Sequence, residues 1–237
     1  MPKHGKRYNA AVESYDHEQL FTLDEAVGVL KKNATAKFDE TVELHVSTGL
    51  DPRHADQQVR GTTMLPHGLG KEVRVAVFAN GDAARAAEEA GADIVGADDL
   101  IKKVEDGFTD FDVALAERSM MGKVGKLGRV LGPRGLMPNP RAGTVVDAAG
   151  IAKAIDDSRK GRVEFRLDRL ALMHVPVGKA SFDADKLEEN IATVIEEIVK
   201  AKPSGTKSTY VSGLHLTSTM GPSIKLELQA TLRARAD

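Results

Sequence analysis

Residues 73–114, VRVAVFANGDAARAAEEAGADIVGADDLIKKVEDGFTDFDVA, decide the fold class. Val73–Ala79 is apolar apart from Arg74, with β-branched Val73, Val75 and Val77, the composition of a strand covered on both faces. Asp82–Ala90 is alanine-rich and favours a helix. Ala92–Val95 follows as a short strand, Asp98–Val104 as a second helix and Phe111–Ala114 as a third strand. Strands alternating with short helices predict a parallel sheet in a three-layer α/β arrangement. A helix over about Asp147–Asp156 closes this region.

Moving outward, Gly68-Leu69-Gly70 and Ser158-Arg159-Lys160-Gly161 break the pattern on either side, and the chain beyond them has a different character. Thr22-Leu23-Asp24-Glu25 has the Ser/Thr-x-x-Glu spacing of a capping box, and Leu23, Ala26, Val27 and Leu30 follow at helical spacing to about Lys32. Thr41–Val46 alternates polar and apolar, which predicts a half-buried strand. On the far side, Arg162–Leu167 and Ala171–Val177 read as strands. Asp183–Lys202 reads as a helix with a stripe of Leu187, Ile191, Val194, Ile195 and Ile198, and Thr209–Thr217 and Ile224–Leu228 read as further strands.

Composition narrows the function. The 237 residues contain no cysteine, which removes disulfides, thiolate metal sites and cysteine nucleophiles, and fits a reducing cytoplasm. The basic start MPKHGKRYNAAVESYDHEQ lacks the apolar core of a signal peptide, and the longest apolar run is too short to cross a bilayer. The formal charge is −2 and the pI about 6.4, so long-range steering of a polyanion is weak and any RNA binding rests on a local patch and on shape. Residues 68–158 carry 12 basic and 15 acidic side chains, and the two flanks together carry 21 and 20.

A local basic patch does exist. Arg118–Gly143 holds Arg118, Lys123, Lys126, Arg129, Arg134 and Arg141 without one acidic residue, and six of the 22 glycines and three of the nine prolines. It reads as a basic loop beyond the third strand, where anions and other ligands bind in open α/β sheets. A nucleotide- or small-ligand-binding α/β protein using loop 118–143 is the reading this patch suggests. The motifs that reading needs are absent: Met120 and Leu127 stand where the phosphate loop requires Gly and Ser or Thr, and the first strand is followed by a single glycine, Gly81. The seven histidines show no metal-ligand spacing, so neither a metal nor a cofactor is expected, and His45 and His215 read as ordinary strand histidines.

Lys37-Phe38-Asp39-Glu40-Thr41-Val42-Glu43 places an aromatic between charges just before a strand. Such a Phe is by composition more often core than ligand-facing. Its functional reading is stacking on a ribose or base, with Lys37 to a phosphate and Thr41 and Glu43 to sugar or base groups. Thr219-Met220-Gly221-Pro222 is either a plain turn or a hydroxyl, a soft side chain and an open backbone suited to a nucleic-acid groove.

With these pieces together, the chain resembles the L-one family of large-subunit ribosomal proteins in its bacterial form. Leu127–Pro140, LGRVLGPRGLMPNP, is similar to that family's signature, and Asp51-Pro52-Arg53, Leu65-Pro66-His67-Gly68, Gly161–Arg166, Pro176–Lys179, Lys37–Glu43 and Thr219–Pro222 match as well. The resemblance implies a discontinuous α+β domain from both chain ends (1–67 and 159–237) with an inserted Rossmann-like α/β domain (68–158). It implies a non-enzymatic role: binding large-subunit ribosomal RNA to form the mobile stalk beside the tRNA exit site, and repressing translation through the messenger of its own operon. Ribosomal RNA, that messenger and exit-site tRNA are the implied partners of a cytoplasmic protein that is monomeric when free. By matching motif, the implied RNA contacts are Lys37, Phe38, Thr41, Glu43, Arg166, Asp168, Thr219, Met220 and Gly221, with secondary contacts from Arg129, Arg134 and Arg141.

Overall fold

The computed structural model describes residues 5–206 and 209–233. In chain order its elements are α1 (Lys6–Glu13), α2 (Leu23–Asn33), β1 (Thr41–Thr48), β2 (Arg60–Met64), β3 (Val75–Phe78), α3 (Asp82–Glu89), β4 (Ile94–Gly96), α4 (Asp98–Glu105), β5 (Val113–Glu117), α5 (Met121–Val124), α6 (Gly128–Leu131), β6 (Val145–Val146), α7 (Ile151–Arg159), β7 (Arg162–Arg166), β8 (Leu172–Lys179), α8 (Ala184–Lys200), β9 (Val211–Ser218), β10 (Ile224–Leu226) and α9 (Leu228–Arg233). They form two compact units, Met1–Gly70 with Val163–Asp237, and Lys71–Arg162. The first is a discontinuous α+β unit and the second an inserted α/β unit.

In the discontinuous unit, β1 runs antiparallel to both β8 and β9, giving the sheet order β10-β9-β1-β8. Alternation decides which face is inside: Val42, Leu44 and Val46 of β1, Met173, Val175 and Val177 of β8, and Leu214 and Leu216 of β9 are all buried in one cluster. Helices α2 and α8 cover that face. The capping box opens α2 as the spacing predicts, with Thr22 Oγ1 accepting from the Glu25 N–H at 3.5 Å and Glu25 Oε2 accepting from the Thr22 N–H at 3.1 Å. Leu187, Ile191, Val194, Ile195 and Ile198 of α8 are buried, and each such side chain contributes about 1.5–3 kcal/mol on leaving water. The opposite sheet face carries Thr41, Glu43 and His45 of β1, His174 and Pro176 of β8, His215 and Thr217 of β9, and Lys225 of β10.

The inserted unit has the expected parallel sheet, in order β4-β3-β5-β6. Its three layers follow from β3 itself. Val75 and Val77 point into a cluster with Ala83, Ala87, Ile151 and Ile155 from α3 and α7, while Ala76 and Phe78 point into one with Leu100, Val104, Val124, Leu127 and Leu131.

Several readings of the sequence need correction. Arg118–Leu131 is no loop but a succession of short turns: 3-10 turns at Arg118–Met120 and Gly125–Leu127 alternate with α5 and α6. Glycine disfavours a helix by about 1 kcal/mol per residue, but burying Val124, Leu127 and Leu131, all 0% exposed, returns about 1.5–3 kcal/mol each, so the apolar spacing wins. The basic start contains α1, although its first stretch reads as loose. Strand β2 pairs with β7 in a separate two-stranded sheet, and β6 and α9 also lacked a clear signal. The third parallel strand is displaced to Val113–Glu117, because Asp112 is drawn to the sheet's entrance by the Arg74 N–H (3.1 Å) and Lys71 Nζ (2.5 Å). The last helix of the unit begins at Ile151, after a 3-10 turn at Ala148–Gly150. Among the described residues no helix is long and apolar enough to cross a membrane.

Candidate nucleic-acid interface

At one end of the antiparallel sheet, the start of β1 meets the end of β9, and two threonines distant in sequence lock together. The Thr41 N–H donates to Thr219 Oγ1 at 2.9 Å, and the Thr219 N–H donates to the Thr41 carbonyl at 3.0 Å. Lys179 Nζ, across the register from Thr41 on β8, donates to Thr41 Oγ1 at 2.9 Å.

Beneath this pair lies Glu40, 1% exposed. Its Oε2 accepts from Ser218 Oγ at 2.7 Å and from the Met220 N–H at 3.0 Å, and its Oε1 accepts from the Ala36 N–H at 3.0 Å. Burial pushes its pKa up, but the bonds from Ser218, Met220 and Ala36, helped by the charge of Arg7, outweigh it and hold the carboxyl below its ordinary value. One ionised side chain therefore pins the loop before β1 to the turn after β9. Asp39 adds a second tie, accepting from Ser181 Oγ at 2.7 Å and from the Ser181 N–H at 3.1 Å.

What this framework presents is apolar and exposed. Phe38 is 55% exposed and Met220 58%, while the residues that hold them, Glu40 and Ser218, are buried. Phe38 is thus not a core residue, the reading its composition favoured. Lys37 is exposed beside it. Gly221 is tight for a reason: a Cβ there would lie 2.5 Å from Ser218 Oγ, the donor to Glu40.

The chain belongs to the ribosomal protein L1 family. The Ribosomal protein L1p/L10e family model matches residues 30–222, which include Phe38, Thr41, Thr219 and Met220. Two relatives from different strains of Dehalococcoides mccartyi, each called "Large ribosomal subunit protein uL1", are 54% identical over 230 residues, covering 97% of this chain and 97% of each relative. Membership makes this a structural ribosomal protein and not an enzyme.

The structure gathers Lys37, Phe38, Thr41, Thr219, Met220 and Gly221 at one sheet end. Glu43 is one step further along the exposed face of β1, opposite Thr217 of β9 and Pro176 of β8. Asp168 reaches the same face: its Oδ1 accepts from the Leu170 and Leu172 N–H groups at 2.8 and 2.7 Å, and its Oδ2 is 3.6 Å from His174 Nε2. Burial opposes ionisation of Asp168, but those two backbone bonds and His174 keep its pKa below the ordinary value. Arg166 is exposed on β7, in the separate two-stranded sheet.

Arg129, Arg134 and Arg141 lie on the inserted unit and are all exposed. Arg134 donates to Thr109 Oγ1, whereas Arg129, Arg141 and Lys126 form no ion pair among the described residues. The patch is less uniformly cationic than its sequence reads, because Lys123 pairs with Asp98 at 2.7 Å and Arg118 with Asp147 at 3.4 Å.

Reasoning from sequence missed Glu40, Ser218 and Lys179 as the parts that hold the site. A signal for Glu40 was present: it shares the even-numbered parity of Val42, Leu44 and Val46, the buried side of β1. Of the seven histidines, His4 lies outside the described residues; His45 and His215 are strand residues, as read.

Proposed function

We propose that the protein binds a helical region of large-subunit ribosomal RNA through the sheet end built from Lys37, Phe38, Thr41 and Thr219–Gly221, extended by Glu43, Arg166 and Asp168. The observation that carries this reading is the Thr41–Thr219 lock on the buried Glu40, which holds Phe38 and Met220 out in water at 55% and 58% exposure. Exposed apolar side chains on a hydrogen-bonded frame are arranged to stack on, or pack into, the shallow groove of a folded RNA. A net charge of −2 fits recognition by shape and short-range contacts in preference to a general attraction for phosphate.

In this reading the inserted unit adds weaker phosphate contacts through Arg129, Arg134 and Arg141. The protein forms the mobile stalk beside the tRNA exit site, where exit-site tRNA is a partner, and represses translation by binding a similar structure in the messenger of its own operon. It works in the cytoplasm on the ribosome and is monomeric when free. The names of the uL1 relatives, which place those proteins in the large ribosomal subunit, support the ribosomal part of this reading.

Gel-shift titration with an RNA fragment of the stalk region tests it. Phe38→Ala should weaken binding by roughly tenfold or more, since a stacked base contributes about 1–3 kcal/mol, and Thr219→Ala should weaken it by removing the hydroxyl that accepts from the Thr41 N–H, while the circular-dichroism spectrum stays that of wild type in both. If both variants bind like the wild type, the site lies elsewhere. Competition by the operon messenger fragment, reduced in parallel by the same substitutions, tests the repressor role.

A further inference from the structure

The open face of the antiparallel sheet carries a feature that the Thr41–Thr219 site does not use. His45 of β1 is in register with His174 of β8 on one side and with His215 of β9 on the other, and His215 is in register with Lys225 of β10. Four basic or potentially basic side chains therefore form one straight row across all four strands, spanning about 14 Å at the usual strand spacing. The row lies on the face opposite Val46 and Leu214, and it is reachable: the side chains of His45 and His174 are 27% and 47% exposed.

The first two imidazoles touch. His45 Nδ1 is 2.5 Å from His174 Nδ1, with the ring centroids 4.8 Å apart at 68°, so one nitrogen donates and the other accepts and at least one ring is neutral while that bond lasts. His45 Nε2 bonds Thr217 Oγ1 at 2.9 Å. The acids facing the row are Glu43, 3.7 Å from His45, and Asp168, 3.6 Å from His174, while Lys225 is held by Glu18 at 3.1 Å. Among the described residues no three His, Asp or Glu side chains are placed to hold a metal ion, so the row is not a metal centre. With the imidazoles neutral, Glu43, Asp168 and Glu18 surround the row against the Lys225 ammonium, and Lys179 lies further along the face at Thr41. Each proton added to the row moves it towards a surface that accepts phosphate.

Burial, with the neighbouring His174 and His215, outweighs Glu43 and keeps the His45 pKa below its ordinary value; burial and Lys225 do the same for His215. Both rings therefore favour the neutral form in the free protein. An approaching phosphate has the opposite effect to a neighbouring cation, and favours the charged ring.

We propose that the His174–His45–His215–Lys225 row is a second binding element for the RNA, a track for its phosphate groups that becomes cationic by taking up protons as the RNA docks. This rests on the RNA-binding reading above, and it makes affinity for the RNA rise as pH falls through the histidine range.

The test uses the full chain and the stalk-region RNA fragment, with dissociation constants measured at about pH 7.5 and about pH 5.5, on either side of the ordinary histidine pKa. Wild type should tighten by about tenfold or more over this interval, one proton taken up per complex giving up to tenfold per pH unit by linkage. The triple variant His45→Gln/His174→Gln/His215→Gln should lose most of that gain. His215→Gln alone, which leaves the His45–His174 bond in place, should lose part of it, and NMR titration of His45 in this variant should show its pKa rise when RNA is bound. Protonation of the RNA itself is common to all arms and cancels in the comparison with wild type. Wild-type affinity unchanged by pH, or a triple variant that keeps the full pH response, overturns the row while leaving the Thr41–Thr219 site intact. Failure of the wild type to bind this RNA at either pH removes both.

Discussion

The Thr41–Thr219 sheet end and the Arg118–Gly143 stretch both offer groups that suit a nucleic acid, and they are built in opposite ways. At the sheet end the frame is cross-tied: Thr41 bonds Thr219 and Lys179, the Met220 N–H bonds the buried Glu40, and Gly221 packs closely on the buried Ser218. In the inserted unit, Gly122, Gly125 and Gly128 face open space, with nothing within 4 Å of where a Cβ would be, and the basic residues that follow them are exposed. A locked frame fixes the geometry of short-range contacts, which is what reading a shape requires. An exposed cation on a helical turn supplies charge without fixing where it points. The contrast accounts for assigning recognition to the first region and only supporting phosphate contact to the second.

The substitution that breaks this contrast most sharply is Glu40→Gln. The amide keeps one acceptor but offers donors to groups that are donors themselves, and loss of charge-assisted bonds of this kind costs about 1.5–3 kcal/mol each, so urea denaturation at neutral pH should show a loss of about 2–3 kcal/mol. The pH dependence has a definite sign. The folded-state pKa of Glu40 is depressed, so its contribution is present above the ordinary glutamate value and disappears as pH falls through the folded one. The gap between wild type and variant should therefore close in acid. A gap of constant size down to about pH 3, beneath the ordinary glutamate pKa, would show that the carboxylate charge is not what holds the turn.

Gly221→Ala is a milder disturbance of the same frame. Its Cβ displaces Ser218 Oγ from Glu40, and overpacking of this sort costs about 1–3 kcal/mol. Thermal melting should show that loss together with weaker RNA binding, and an unaltered melting temperature would mean that the turn yields without strain. The smallest effect, and of opposite sign, is expected for Gly125→Ala. Gly125 has φ −54° and ψ −30° and open surroundings, so alanine there should stabilise by about 0.5–1 kcal/mol through better helix propensity. A destabilised Gly125→Ala would show that the glycine turns of the inserted unit are as constrained as the sheet end, and the contrast would fail.

Local signals carried far in this chain. The capping box at Thr22–Glu25, the apolar stripe of α8 and the alternation of β1 all appear where their spacing places them, because each arises between residues a few positions apart. They failed where a local preference met a packing demand, as in Arg118–Leu131, where buried Val124, Leu127 and Leu131 override the glycines. Asn190 shows the same limit. It stands on the buried side of α8 at 0% exposure, next to the stripe, and is satisfied only by groups far away in sequence: it accepts from the His67 N–H at 3.1 Å and donates to the Gly68 carbonyl at 3.1 Å and the Val177 carbonyl at 2.8 Å. Helical periodicity tells which side Asn190 is on, and says nothing of those partners.

By itself, then, the sequence determined the parallel α/β pattern of the inserted unit, the amphipathic faces of the flanking elements, the absence of cysteine chemistry and, through the Leu127–Pro140 and Thr219–Pro222 motifs, the family. Only the tertiary structure decided that Thr41 bonds Thr219, that Glu40 is the buried anchor beneath them, and that His174, His45 and His215 share one row. These pairings join strands some 129 to 178 positions apart. Their register is set by which apolar faces are buried together, and that choice is made by the whole core of the unit, so no window of local sequence contains it.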